Sequence, residues 1–203
     1  MADFQLSGNT VLSESGGNVT WGAGVPSGTV LQVKSTSMGD ALSFTPTTQT
    51  WTDIAGLSVQ ITPSSSSNKI MVFASVNGGG SAQNVACFLR TYRDSTAVGI
   101  GNTSSSRSRI SGQLKETTSY DLQSINWNFI DSPNSTSQLT YKIMIYTNGT
   151  VYINRPTTTA DNWSVGASTS SITVMEISGE GPSQSEVVTV TDAGLTTTPG
   201  AMK

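Results

Sequence analysis

The sequence predicts an all-β protein, an antiparallel β-sandwich of jelly-roll-like type with extended N- and C-terminal arms. Three observations lead there. Short apolar stretches alternate with polar residues at period two and are separated by turn signals. Ser and Thr make up about 30% of the 203 residues, a bias toward strands and turns. No segment longer than a turn or two carries a helical period. Sandwiches often run to ~200–250 residues as single domains, so one core is expected.

Residues 1–28 read as an arm, because Gly8, Gly16, Gly17, Gly22, Gly24, Pro26 and Gly28 interrupt it every few positions. Its apolar pieces, Thr10-Val11-Leu12 and Val19-Thr20-Trp21, are candidates for adding a strand to a partner's sheet edge. Phe4, Val11, Leu12 and Trp21 are therefore its candidate anchors. The body spans 29–179. Val30, Leu31 and Val33 open its first strand, and Pro46-Thr47-Thr48-Gln49 separates Leu42-Ser43-Phe44 from Trp51-Thr52-Asp53-Ile54. Leu57-Ser58-Val59-Gln60-Ile61 alternates cleanly. Lys69 to Val76 is the most continuous apolar run and reads as a central strand. Asn77-Gly78-Gly79-Gly80 reads as a turn, after which Val85 to Tyr92 returns antiparallel. Ala97 to Gly101 is a short strand before a polar loop, 102–108. Tyr120 to Ile130 alternates again, with Ile125, Trp127 and Phe129 on one face. Leu139–Tyr146 and Val151–Asn154 flank Asn148-Gly149, the strongest hairpin signal in the chain. Ser171 to Ile177 sets Ile172, Val174 and Glu176 against Thr173, Met175 and Ile177. That makes nine or ten strands. Residues 180–203 form a second, acidic arm with one strand-like piece, Glu186 to Thr191.

Composition removes whole classes of chemistry. The chain has no histidine and one cysteine, Cys87. Histidine-dependent triads, most zinc sites and intramolecular disulfides are thereby excluded. No apolar run approaches the ~20 residues of a membrane helix. A net charge of -3 with scattered bases speaks against nucleic acid as a partner. Only 11% of residues are charged and 35% are hydrophobic, where charged residues usually reach ~25%. The expectation is a thin core, or one completed by neighbouring subunits, beneath a hydroxyl-rich surface suited to packing against copies of itself. Met1-Ala2-Asp3-Phe4 places an acid where a secretory signal needs a base, so synthesis in a cytoplasm is expected. These features together point to an assembly component.

Few residues offer chemistry. Asp53, Asp121, Asp131 and Asp161 are the candidates for a glycosidase-type carboxylate pair, but Asp53 and Asp131 occupy ordinary strand-end and turn positions. No metal or cofactor site is expected. Arg90, Arg93, Arg107, Arg109 and Lys115 gather half the bases in one stretch, a candidate surface for anionic glycans or an acidic partner. Arg90 and Arg93 would face opposite sides of one strand, which leaves Arg107 and Arg109 as the candidates. Trp51 and Trp127 sit within apolar alternation and read as core. Trp163 lies in a polar loop and is the exposed candidate for stacking on a sugar.

Several stretches carry a resemblance. They are Gly28-Thr-Val-Leu-Gln-Val-Lys, then Trp51-Thr-Asp-Ile-Ala-Gly-Leu-Ser-Val-Gln-Ile-Thr-Pro followed by four serines and Asn-Lys-Ile-Met-Val, then Phe129-Ile-Asp-Ser-Pro-Asn and Ser171-Ile-Thr-Val-Met-Glu-Ile. As a set they resemble the β-sandwich module of tail fibres and other structural proteins of tailed bacteriophages, notably marine and cyanobacterial ones. The resemblance covers residues 29–179. It implies a non-enzymatic virion component, made in the host cytoplasm and bound to other virion proteins, of a kind that is often trimeric and often faces the host; a homotrimer is expected, with host surface glycan as the candidate partner. Tail-fibre proteins usually carry a longer shaft before this module, whereas two arms around a compact body also suit a capsid decoration protein. A polysaccharide depolymerase is the remaining alternative.

Overall fold

The computed structural model describes residues 27–179, apart from 46–48, 81–84, 116–119, 121, 159, 161–162 and 164, together with the strand backbones of 2–6, 9–15 and 18–21. The strand-like piece read at Glu186 to Thr191 lies outside them. The chain divides into two compact units, one of them Gly28–Gly179.

In the other unit, β1 (Ala2–Leu6), β2 (Asn9–Ser15) and β3 (Asn18–Trp21) form an antiparallel three-stranded sheet. The two apolar pieces expected to seek a partner's edge thus pair with each other. Phe4 is in register with Leu12, and Leu12 with Trp21.

Gly28–Gly179 is an all-β, antiparallel, jelly-roll-like sandwich of two sheets. The first contains β4 (Val30–Met38), β5 (Leu42–Phe44), β7 (Lys69–Gly80), β11 (Gln123–Asp131), β13 (Val151–Ile153) and β14 (Ser170–Ile177). From one edge it runs β11, β7, β14, β4, with β13 and β5 continuing the β14 and β4 positions. The second contains β6 (Thr52–Ile61), β8 (Cys87–Arg93), β9 (Thr96–Val98), β10 (Gly112–Leu114) and β12 (Leu139–Thr147), in the order β10-β8-β12-β6, with β9 also on β8. Apolar residues at every second position fill the space between the sheets. Leu57 and Ile61, Ile70 and Val72, Leu89, Ile143 and Ile145, and Ile172 and Val174 are all buried there.

The chain changes sheet at six of the ten connections between β4 and β14, and this overturns three local readings. Asn77-Gly78-Gly79-Gly80 is not a turn but the end of β7. A Cβ on Gly78 would run into the Tyr152 carbonyl oxygen, so this glycine serves a close approach by β13. Val85–Tyr92 does not return beside β7, because β8 lies in the other sheet. Asn148-Gly149 does not close a hairpin, since β12 belongs to the second sheet and β13 to the first. A two-residue type I′ turn needs positive φ at both central positions, and neither Asn148 nor Gly149 has it. Asn148 instead accepts the Ala86 amide on Oδ1 at 2.7 Å. The expected pieces 51–54 and 57–61 are one strand, bulged around Gly56 at φ 86°. The short strand β10 had no counterpart in the sequence reading.

Polar clasps fasten the sheets. Glu176, fully buried on β14, accepts at Oε1 from the Ser64 amide (2.6 Å), Ser64 Oγ (2.8 Å) and Asn68 Nδ2 (2.6 Å), and at Oε2 from Gln32 Nε2 (2.5 Å). Burial disfavours the charge, but these donors outweigh it and hold the carboxyl below its ordinary value. Asp131 on β11 accepts from Arg93 Nη1 on β8 (2.6 Å) and Tyr141 Oη on β12 (2.7 Å), which ties one sheet to the other. Burial, then the hydrogen bond to Asp131, pushes the Tyr141 hydroxyl well above its usual range. Asn154, buried at φ 64°, donates from Nδ2 to the carbonyls of Met38 (2.7 Å) and Asp40 (3.0 Å) and accepts Ser170 Oγ on Oδ1 (2.6 Å).

Candidate functional site: an aromatic and cationic sheet face

The outer face of the second sheet concentrates the contact chemistry of the body. On β8 the buried residues Cys87, Leu89 and Thr91 alternate with Phe88, Arg90 and Tyr92, which point outward and are half-buried. On β12 the same period turns Lys142, Met144 and Tyr146 outward. The ladder sets Phe88 opposite Tyr146, Arg90 opposite Met144 and Tyr92 opposite Lys142. Trp51, immediately before β6, completes the cluster. Its ring lies 5.6 Å from Tyr146 and 6.5 Å from Tyr92, and Phe88 stacks on Tyr146 at 6.1 Å and 15°.

The Arg90 guanidinium lies 4.0 Å above the Trp51 ring, a cation–π contact that holds both side chains in place. Arg90 Nε also donates to the Arg109 carbonyl oxygen, and Arg109 Nε donates to the Gly101 carbonyl at 2.7 Å. The exposed 101–109 loop is thereby pinned at the rim of the aromatic cluster. Tyr146 Oη donates to Gln49 Oε1 at 2.9 Å, and Lys142 pairs with Asp53 at 2.9 Å. Flat rings can stack on the C–H faces of sugars, and arginine with amide groups can bond hydroxyls and anions.

The predicted residues fall into this picture unevenly. Trp51 is not core: counted back at period two from the buried Ile54, it falls with Asp53 on the outer face. Trp127 does pack against the core, and its Nε1 donates to Thr91 Oγ1 at 2.9 Å. Arg90 and Arg93 face opposite ways, the first onto Trp51 and the second into the clasp with Asp131. Arg109 joins the aromatic face through Arg90. Arg107 is exposed in the same loop, where its amide closes a turn onto the Ser104 carbonyl at 3.1 Å. Trp163 is 98% exposed. Phe4, Val11, Leu12 and Trp21 lie on the strands of the other unit. Asp53 stands on the outer face and Asp131 in the inter-sheet clasp, so they share no site; Asp121 and Asp161 lie outside the described residues. Phe88, Tyr92, Met144 and Tyr146 were missed, although their alternation with buried neighbours was visible in the sequence.

Among the described residues no cluster of three or more His, Cys, Asp or Glu side chains could hold a metal. Cys87 is buried, and burial pushes its thiol up to about 12 despite a bond from the Leu114 backbone. Fold and surface define the class: an all-β sandwich whose ionisable groups fasten strands or lie on an open face.

No protein-family model matches the chain, and no curated protein matches it in sequence. Among solved structures, a chain of infectious bursal disease virus, Gt strain, is 12% identical with a TM-score of 0.40, over 73% of this chain and 41% of that one. Eiger TNF from S. frugiperda is 8% identical with a TM-score of 0.37, over 75% of this chain and 96% of that one. A chain of the T13 IBDV viral particle is 14% identical with a TM-score of 0.39, over 73% and 40%. The chain spans about two-fifths of the length of the virus chains it matches.

Proposed function

We propose that this chain is a non-enzymatic structural protein of a bacteriophage virion. In this reading it is a homotrimeric, fibre-like module that presents its body at the particle surface and contacts host glycan. Residues 1–28 and 180–203 anchor it to other virion proteins, with Phe4, Val11, Leu12 and Trp21 as the anchoring side chains of the first segment. The observation that carries the reading is the division of chemistry in the body. Glu176, Asp131, Arg93 and Tyr141 are each engaged by side chains from other strands, and aromatic and cationic groups collect on one outer face. Trp51, Arg90 and Arg109 on that face, with Arg107 and Trp163 on nearby or separate loops, are the proposed glycan contacts. Capsid decoration is the second reading, favoured by a compact body that is distinct from the unit holding β1–β3.

Mass spectrometry of purified virions, with copy number per particle, tests the location. A few dozen copies or fewer are expected for a tail component and hundreds for a head component; absence from the particle would sink both. Deleting residues 1–28 should leave a body that melts cooperatively and no longer joins the virion. Normal incorporation of that deletion would show that the segment is not the anchor.

Trp51→Ala tests the aromatic face. Removing the ring takes away a stacking surface and the seat of Arg90, so binding to host surface polysaccharide should weaken about tenfold, or ~1.4 kcal/mol. Unchanged binding by surface plasmon resonance would move the glycan contact elsewhere.

A further inference from the structure

The outer face of the first sheet has the opposite character. Its registers lay out four rows across β4, β14, β7 and, where it reaches, β11. They are Val30–Ile177–Lys69, then Val33–Met175–Met71–Ile130, then Ser35–Thr173–Phe73–Asn128, then Ser37–Ser171–Ser75–Asn126. One row is wholly apolar from edge to edge. Four of the six large apolar side chains exposed among the described residues lie here, Val30 (49%), Val33 (49%), Phe73 (38%) and Ile130 (61%). Such a concentration on one face marks an interaction surface rather than scattered exposure.

We propose that this face is where a second copy of the chain packs. The proposal takes from the reading above only that the chain self-associates, neither the count of three nor the virion location: the same face on both copies makes a two-fold pair. Charge identifies the occupant. Lys69, at one end, is the single charged side chain in the four rows. Two copies can therefore meet here without burying unpaired charges or opposing like ones. The other outer face, where Arg90 and Arg109 remain once Lys142 has paired with Asp53, would set cations against cations. Size agrees. Four strands ~4.8 Å apart and seven or eight residues at ~3.3 Å give a face of about 20 by 25 Å, roughly 500 Å² in plan. Side-chain relief, with β13 and β5 extending the sheet beyond the four rows, brings it toward the ~800 Å² per partner of a stable interface. The flat pleated surface suits sheet-on-sheet packing, with the apolar row at the centre and the hydroxyl and amide rows at its rim.

The test uses the purified full-length chain in sedimentation velocity from 5 to 100 µM, concentrations on the order of those at which interfaces of this size assemble. The wild type is expected to sediment as an even multiple of 21.2 kDa. The double variant Val33→Glu, Ile130→Glu should be a folded monomer, because both side chains are exposed and neither fills the core. Arg90→Glu, on the opposite face, should still assemble. As a check independent of that variant's folding, Asn128→Cys should give a cross-linked dimer with a short bismaleimide. The wild type should not, because Cys87 is buried. A monomeric wild type at 100 µM, an intact assembly in the double variant, or no cross-link through position 128 would overturn the proposal. A monomer found in the virion would remove self-association and leave the virion reading standing.

Discussion

Glu176→Ala is expected to cost about 3–5 kcal/mol and to lower the melting temperature by ~10 °C or more in a body of this size. The carboxylate is fully buried and gathers donors from three residues in two places. Ser64 and Asn68 lie in the loop between β6 and β7, and Gln32 lies on β4. Truncation leaves the Ser64 amide without its carboxylate and the buried Asn68 amide group with Ser64 Oγ, at 3.1 Å, as its remaining acceptor. Asn68 Oδ1 also accepts the Gly179 amide at 3.0 Å, so the loss spreads to the end of β14. Glu176→Gln should cost less than half as much. Its carbonyl can take the Oε1 position, and the Gln32 amide can turn to accept from its NH₂. The pH dependence has a definite sign. A carboxyl held below its ordinary value stabilises the fold above the unfolded value of about 4.3 and loses that contribution as pH falls toward the native value. The melting temperature of the wild type should therefore drop below about pH 4, and that of Glu176→Ala should drop less. Parallel curves for the two proteins would refute the assignment.

Asn154→Ala is the second large effect, about 3–4 kcal/mol. One amide joins β13 to the β4–β5 connection and to β14. It donates to Met38 and Asp40, accepts from Ser170, and sits at φ 64°, where asparagine is tolerated and alanine is strained. Ser170 Oγ in turn accepts the Asn77 amide at 2.9 Å, so the contacts form one network. Asn154→Gly separates the two causes: it relieves the backbone strain and leaves the hydrogen bonds broken. It should recover about 1 kcal/mol of the loss in urea denaturation. Equal stability of the alanine and glycine variants would show that φ contributes nothing.

Much of the strand content was legible because one face of each long strand is dry. Leu57, Val59 and Ile61 alternate with wet neighbours, and so do Ile172 and Val174. That pattern survives in any topology that buries one side of a sheet. Glu176 continues the buried series, and the sequence placed it on that face without giving a reason for a carboxylate there. The reason lies 112 residues earlier, in the Ser64 amide. The aromatic face was half legible, since Phe88, Arg90 and Tyr92 alternate with buried residues. Trp51 was misread although the same period, counted back from the buried Ile54, sets it with Asp53 on the outer side.

By itself the sequence determined most of the long strands and which side of them is buried, and it excluded histidine-dependent and paired-thiol chemistry. Those conclusions rest on local periodicity and on side-chain inventory, which need no partner. Tertiary structure decided which strands pair. Asn148-Gly149 and Asn77 to Gly80 carry turn residues, yet the chain crosses between sheets at one and runs on as strand at the other. In a sandwich whose chain changes sheet at six of its ten connections, many neighbours in the ladder are distant in sequence, as Glu176 and Gln32 are across β14 and β4. Turn propensity is worth about a kilocalorie or less, and closing a buried core between two sheets is worth many times that. The core therefore set the pairing, and with the pairing it set which side chains share each outer face.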